Sequence, residues 1–225
     1  MIKDNKTGLF YRNEAELYVI KERSQYRHLD FEGKTFMDIG AHIGAATDLA
    51  LQNKVEKCVS YEPMEETFKM LQLNIKNKTR VQLHQSAMVT GNTETVDFYL
   101  HHKYPSCNSL LPIKKGVKTT VPCLNFAEQL EKHKPEVLKV DCEGGEFLLL
   151  DQKLPDYVEQ LAVEFHLKSK ETKHKAWEIL QNNFSDWYVH RKFRFNWYVT
   201  TAVLKKDVVS DHGTVAQYME KLSIQ

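Results

Sequence analysis

Short apolar segments alternate with amphipathic ones along most of this chain. That alternation constrains the fold more than any other feature. Thr35–Ile39, Lys57–Tyr61, Arg80–Ala87, Glu136–Val140 and Leu161–Phe165 read as strands. Segments 45–53, 64–77, 125–133 and 172–183 read as helices, and in the second Phe68, Leu71 and Ile75 recur at helical spacing. An earlier helix is expected over residues 12–28, and Trp187–Lys192 and Trp197–Leu204 are expected to pair as a hairpin. Strand–helix alternation of this kind builds an α/β protein with a mainly parallel sheet and helices on both faces. Such sheets bind ligands at the carboxyl ends of their strands, so the chemistry is sought there.

Four strand ends carry polar residues. The first reads Asp38-Ile39-Gly40-Ala41-His42-Ile43-Gly44. A glycine directly after a strand permits a tight turn and the close approach of a ligand to backbone N–H groups. The spacing is not the Gly-x-Gly-x-x-Gly of dinucleotide binders. The second is Glu62, followed by Pro63, where a carboxylate can accept from both hydroxyls of a ribose. The third is Asp141-Cys142-Glu143-Gly144-Gly145-Glu146, which crowds carboxylates after an apolar strand. Like charges that close together need water, a cation or a substrate proton to face. The fourth is Glu164-Phe165-His166, where alternation puts Glu164 and His166 on one side of the strand. A histidine beside carboxylates suits a general base or a metal ligand.

Composition removes several function classes. Lys+Arg number 31 against 30 Asp+Glu, a net charge of +1, which excludes a strongly basic nucleic-acid coat. The four cysteines, at 58, 107, 123 and 142, form no Cys-x-x-Cys pair, and Cys58, Cys123 and Cys142, in apolar surroundings, read as small buried hydrophobes rather than zinc ligands. Without an apolar run of membrane-spanning length or a signal-peptide core, the expected setting is cytoplasmic, with no membrane partner. In the absence of repeats or linkers, one domain is expected: a helical cap over 1–34, a core over 35–206 and a tail over 207–225.

Phe36–Gly44, Tyr61-Glu62-Pro63, Ser86–Leu100 and above all Leu138–Glu146 together resemble the FkbM family of S-adenosylmethionine-dependent methyltransferases. Val121–Leu130 is similar to that family's short strand and helix ahead of the Lys-hydrophobic-Asp-hydrophobic-Glu-Gly motif, although Asn125 stands where the family commonly has Asp. The resemblance implies a single-domain, Rossmann-like class I fold: a mostly parallel seven-stranded sheet with an antiparallel last strand. It implies S-adenosyl-L-methionine as cofactor. Asp38, Gly40, Ala41, His42 and Gly44 would surround its methionine part, Glu62 and Pro63 its ribose, and Ser86 and Ala87 its adenine. Asp141 would lie beside the cofactor amino group or the transferred methyl.

The expected reaction is methyl transfer to a hydroxyl oxygen of a small molecule or sugar. Glu143 and His166 are the candidate bases, and Asp141 is a positioning group. No metal is expected, although Asp141, Glu164 and His166 offer suitable oxygen and imidazole ligands. The loop over 101–118, with Ser106, Asn108 and Ser109, is expected to border the acceptor. A nucleotide or nucleic-acid acceptor is the rival reading, supported by the basic, partly aromatic stretch His190–Phe195. A non-catalytic nucleotide-binding module is the third.

Overall fold

The computed structural model describes residues 1–76, 79–101, 108–113, 115–167, 169–191 and 199–223. In chain order its elements are β1 (Ile2–Lys3), β2 (Phe10–Tyr11), α1 (Glu14–Glu22), a 3₁₀ turn (Arg23–His28), β3 (Thr35–Ile39), α2 (Ala45–Gln52), β4 (Lys57–Tyr61) and α3 (Glu65–Asn74). Then come β5 (Val81–His84), β6 (Ala87–Val89), β7 (Thr95–Leu100), β8 (Val117–Asn125), α4 (Phe126–His133), β9 (Val137–Val140) and α5 (Glu146–Leu149). The chain ends with β10 (Gln160–His166), α6 (Lys170–Phe184), β11 (Tyr188–Arg191), β12 (Val199–Lys205) and α7 (Val215–Ser223).

Seven strands form the central sheet in the order β11-β12-β10-β9-β3-β4-β5. The run from β10 to β5 is parallel, and β12 lies antiparallel between β10 and β11. All four residues of β9 are buried, as a strand covered on both faces requires. On one face Met37, Ile39, Leu138 and Val163 pack with Phe126 and Leu130 of α4 and Ile179 and Leu180 of α6. On the other, Phe36, Cys58 and Ala162 pack with Ala46 and Leu49 of α2 and Phe68 and Leu71 of α3. This strand order reverses direction beside β3, so β3 and β9 flank a crevice at their carboxyl ends.

Several elements differ from the sequence reading. The strand expected over Arg80–Ala87 divides: β5 stays in the main sheet, while β6 leaves it to pair in parallel with β8. The strand near 121 is longer than expected and forms an antiparallel hairpin with β7, making a separate sheet in the order β6-β8-β7. The helix expected over 12–28 is α1 followed by the 3₁₀ turn, and the segment ahead of it carries the small β1–β2 pair. The tail over 207–225 contains α7, whose Val215, Met219 and Leu222 pack into the core at i, i+4 and i+7. The hairpin of β11 and β12 is present, and its connection lies outside the described residues together with most of the basic stretch His190–Phe195. Among the described residues, no helix is long and apolar enough to cross a membrane.

One buried histidine carries a pH prediction. His133, at the end of α4, is 6% exposed, and Lys57 Nζ lies 3.2 Å from its Nδ1. Burial, reinforced by the Lys57 and Lys132 charges, lowers its pKa to about 4. The folded state therefore holds this imidazole neutral, while the unfolded chain takes up a proton as pH falls below the ordinary value near 6.5. Its contribution to stability is present above that value and is lost as pH falls toward about 4. Urea unfolding of wild type and His133→Gln should show the stability difference moving in the variant's favour between about pH 7 and pH 5. A difference independent of pH would refute the assignment.

Candidate functional site

A cleft of about 930 Å³ opens where β3, β4, β9 and β10 end. The register aligns these ends: Ile39 faces Tyr61 on one side and Val140 on the other, and Val140 faces Val163. Residues next along each strand therefore meet at one edge.

The turn after β3 is shaped by a close backbone approach. Gly40 has φ +77°, and a Cβ there would lie 1.7 Å from the Asp141 carbonyl oxygen. No residue but glycine lets the β3 turn sit against the end of β9. Lys139, on β9, closes the same junction from within. Its Nζ donates to the Gly40 carbonyl at 2.8 Å and lies 3.1 Å from Asp38 Oδ1 and 3.5 Å from Asp141 Oδ2. Burial disfavours the ammonium, but the Asp38 and Asp141 carboxylates outweigh it and raise the Lys139 pKa.

The residues expected on the cofactor side divide into two groups. Gly40, Ala41, His42, Glu62, Pro63, Ser86, Ala87 and Asp141 all line the cleft. Asp38 and Gly44 lie behind its wall. Asp38 is fully buried and accepts from Thr47 Oγ1 at 2.8 Å, because alternation along β3 points it at α2. Gly44 starts α2, and a Cβ there would lie 2.8 Å from Leu71 Cδ1, so it serves helix packing. Glu62 is 6% exposed, and its carboxylate accepts from His42 N at 3.1 Å and Met64 N at 2.9 Å. Burial pushes its pKa up to about 7. Both ring nitrogens of His42 are buried with no hydrogen-bond partner among the described residues, and burial lowers its pKa to about 4.

Asp141, Glu143 and His166 also line the cleft, at the ends of β9 and β10. Glu146, fully buried, organises them. Its carboxylate accepts from Gly144 N at 2.6 Å, His166 N at 2.8 Å and His166 Nδ1 at 2.7 Å. That leaves His166 Nε2 facing Glu143 Oε1 at 3.3 Å. Burial works against a charged imidazole, but the Glu143 and Glu146 hydrogen bonds outweigh it and hold His166 well above its ordinary 6.5. Burial also raises Glu143, and burial followed by the Asp141 charge pushes Glu164 up to about 8. Glu143 sits at φ +54°, a left-handed conformation unusual for a residue with a Cβ, and Ser109 Oγ donates to its carbonyl.

Asp141, Glu164 and His166 place one ligand atom each within 4.8 Å of one another, the metal-like set among the described residues. In the same place His166 turns both ring nitrogens toward carboxylates, Nε2 toward Glu143 and Nδ1 toward Glu146. Of the loop expected to border the acceptor, Asn108 lines the cleft, Ser109 braces Glu143 from behind, and Ser106 lies outside the described residues. Sequence reasoning missed Glu146 as the orienting group, although it stands in the quoted motif. It also missed Tyr18, Glu22, Gln25 and Tyr26, which wall the cleft from the N-terminal segment.

A central, largely parallel sheet with its cleft at the strand ends defines an α/β, Rossmann-like protein. The methyltransferase FkbM domain description matches residues 38–222, and the chain belongs to that family. No curated protein sequence matches it. Similar solved structures include Sp1610 of Streptococcus pneumoniae, crystallised with S-adenosyl-L-methionine, at 12% identity over 85% of this chain and 75% of that one, TM-score 0.49. Precorrin-6y C5,15-methyltransferase of Geobacter metallireducens aligns at 13% identity over 92% and 94%, TM-score 0.47. Ribosomal protein L11 methylase of Lactobacillus delbrueckii aligns at 13% over 88% and 82%, TM-score 0.45.

Proposed function

We propose that this protein, acting as one domain, transfers the methyl group of S-adenosylmethionine to a hydroxyl oxygen of a small molecule or sugar. The observation that carries the reading is His166, fixed at Nδ1 by buried Glu146 and presenting Nε2 beside Glu143 in the cleft. This is the arrangement of a base oriented by a carboxylate.

The cofactor side fits its ligand. Glu62, held by two backbone N–H groups, offers its carboxyl to a ribose, and the buried His42 nitrogens, without a hydrogen-bond partner among the described residues, suit a polar ligand group. Gly40, Ala41, His42, Glu62, Pro63, Ser86, Ala87 and Asp141 would hold S-adenosylmethionine, which supplies an activated methyl on a sulfonium. The chain's task is position and a proton acceptor. Neutral His166, its one hydrogen at Nδ1 toward Glu146, takes the hydrogen of the acceptor hydroxyl at Nε2; Glu143 and Glu146 stabilise the imidazolium that results, and Asp141 positions the reacting groups.

The test is sequential. Calorimetry should show S-adenosylhomocysteine binding; failure there favours the non-catalytic module. Tritiated S-adenosylmethionine offered with methyl glycosides, small diols, tRNA and duplex DNA should label a small hydroxyl compound. Label confined to the nucleic acids would replace this reading with the nucleic-acid one.

A further inference from the structure

The family match begins at residue 38, yet part of the cleft wall comes from residues before it. The 3₁₀ turn over Arg23–His28 is firmly seated. Arg23 Nη1 meets Asp48 Oδ2 at 2.6 Å, and Tyr26, Leu29 and Phe31 are buried against α2 and β3. From this seat the turn reaches two acidic strand ends. Gln25 Nε2 donates to Tyr26 Oη at 2.8 Å and to Glu164 Oε2 at 3.2 Å. Tyr26 Oη donates to Asp141 Oδ2 at 3.2 Å, with its ring 5.5 Å from Lys139 Nζ.

The donor count closes. A glutamine amide has two N–H groups and a phenol has one O–H. Gln25 spends its pair on Glu164 and the phenol oxygen, and Tyr26 passes its own hydrogen to Asp141. Every donor runs toward a carboxylate, which polarises the chain of bonds in one direction. The carboxylates need this. Glu164 is faced by Asp141 after β9, by His166 on its own strand and by Glu22 on α1, with Gln25 its neutral donor. Crowded like charges turn apart unless donors fix them.

We propose that Gln25 and Tyr26 are positioning residues of the methyl-transfer site, holding Glu164 and Asp141 in orientation from a segment upstream of the matched family domain. The proposal rests on the methyl-transfer reading. It also gives the acceptor end a character: the carboxyl groups of Asp141, Glu143 and Glu164 line it, so the compound that meets them is polar, with hydroxyls that can pair with them.

The test uses the full chain carrying Tyr26→Phe or Gln25→Leu, with carboxyl ¹³C NMR of labelled Asp and Glu. Tyr26→Phe keeps the ring on Lys139 and the core packing, so it carries the test even if the Gln25 variant does not fold. It should displace the Asp141 ¹³Cγ resonance beyond its linewidth while leaving the melting temperature within about 4 °C of wild type, the scale of one lost hydrogen bond. Gln25→Leu, by removing a donor to the ionised form, should raise the Glu164 titration midpoint by about half a pH unit. A folded Tyr26→Phe protein with an unmoved Asp141 resonance would overturn the proposal. Wild-type protein that fails to bind S-adenosylhomocysteine would instead overturn the reading beneath it, so the two failures are distinguishable.

Discussion

Lys139→Met is expected to destabilise the protein by about 3–5 kcal/mol, the cost of leaving a buried charge without its partner. Lys139 and Asp38 have side chains 4% and 0% exposed, so water cannot replace the lost ammonium. The Gly40 carbonyl loses its donor at 2.8 Å in the same step. For a chain of this size the loss lowers the melting temperature by about 10 °C. A substitution of Lys139 alone mixes lost packing with the stranded charge, and a second variant separates them. Lys139→Met combined with Asp38→Asn removes the orphaned carboxylate. It should recover at least about 1 kcal/mol relative to the sum of the single effects. Urea unfolding of the four proteins gives the cycle. A loss below about 1 kcal/mol for Lys139→Met would show that the junction of β3 and β9 is held by packing alone. If the ammonium does hold it, S-adenosylhomocysteine affinity should fall as well, because the Gly40 turn is part of the cleft.

That junction also shows how far the amino-acid sequence could be read. The rule that α/β sheets bind at strand ends brings Gly40, Glu62, Ser86, Asp141, Glu143, Glu164 and His166 to one cleft, because parallel register aligns those ends. Asp38 belongs to the same motif, but strand alternation turns it to the other face, where Thr47 and Lys139 take it up. A motif read as a ligand site is here partly a packing device. Gly44 is another case, with its close neighbours Leu71 of α3 and Ile75 just beyond it. The N-terminal contribution left no local trace at all. Gln25 meets Glu164 across 139 positions and Tyr26 meets Asp141 across 115, and periodicity says nothing about pairs so distant. The helix α7 lies in the segment expected to be a tail, although Val215, Met219 and Leu222 mark one helical face. The small sheet of β6, β7 and β8 was not legible, because nothing in Arg80–Ala87 marks where the chain leaves one sheet for another.

His166→Gln is expected to lower the single-turnover rate of methyl transfer by about 10²–10⁴, the range for a lost general base, with S-adenosylhomocysteine affinity nearly unchanged. The pH dependence distinguishes this from a structural effect. Only the neutral imidazole can accept a proton. Burial opposes the charged imidazole, but its hydrogen bonds to the Glu143 and Glu146 carboxylates outweigh it and hold the His166 pKa well above 6.5, so the rate should still be rising with pH beyond that value. Glu143→Gln removes one of the stabilising carboxylates, and the rising limb should move to lower pH. Coincident limbs in wild type and Glu143→Gln would remove His166 from the role, as would near-normal rates in both variants. The same shift has a stability consequence of opposite sense. A histidine whose folded pKa is raised contributes stability fully below the unfolded value near 6.5 and loses it as pH climbs through the raised one. Chemical denaturation should therefore show wild type losing its advantage over His166→Gln across the pH range in which catalysis switches on. The protonation state that holds Glu143, His166 and Glu146 together most firmly is the one that cannot take the acceptor's proton. Deprotonation exchanges part of the site's rigidity for a competent base.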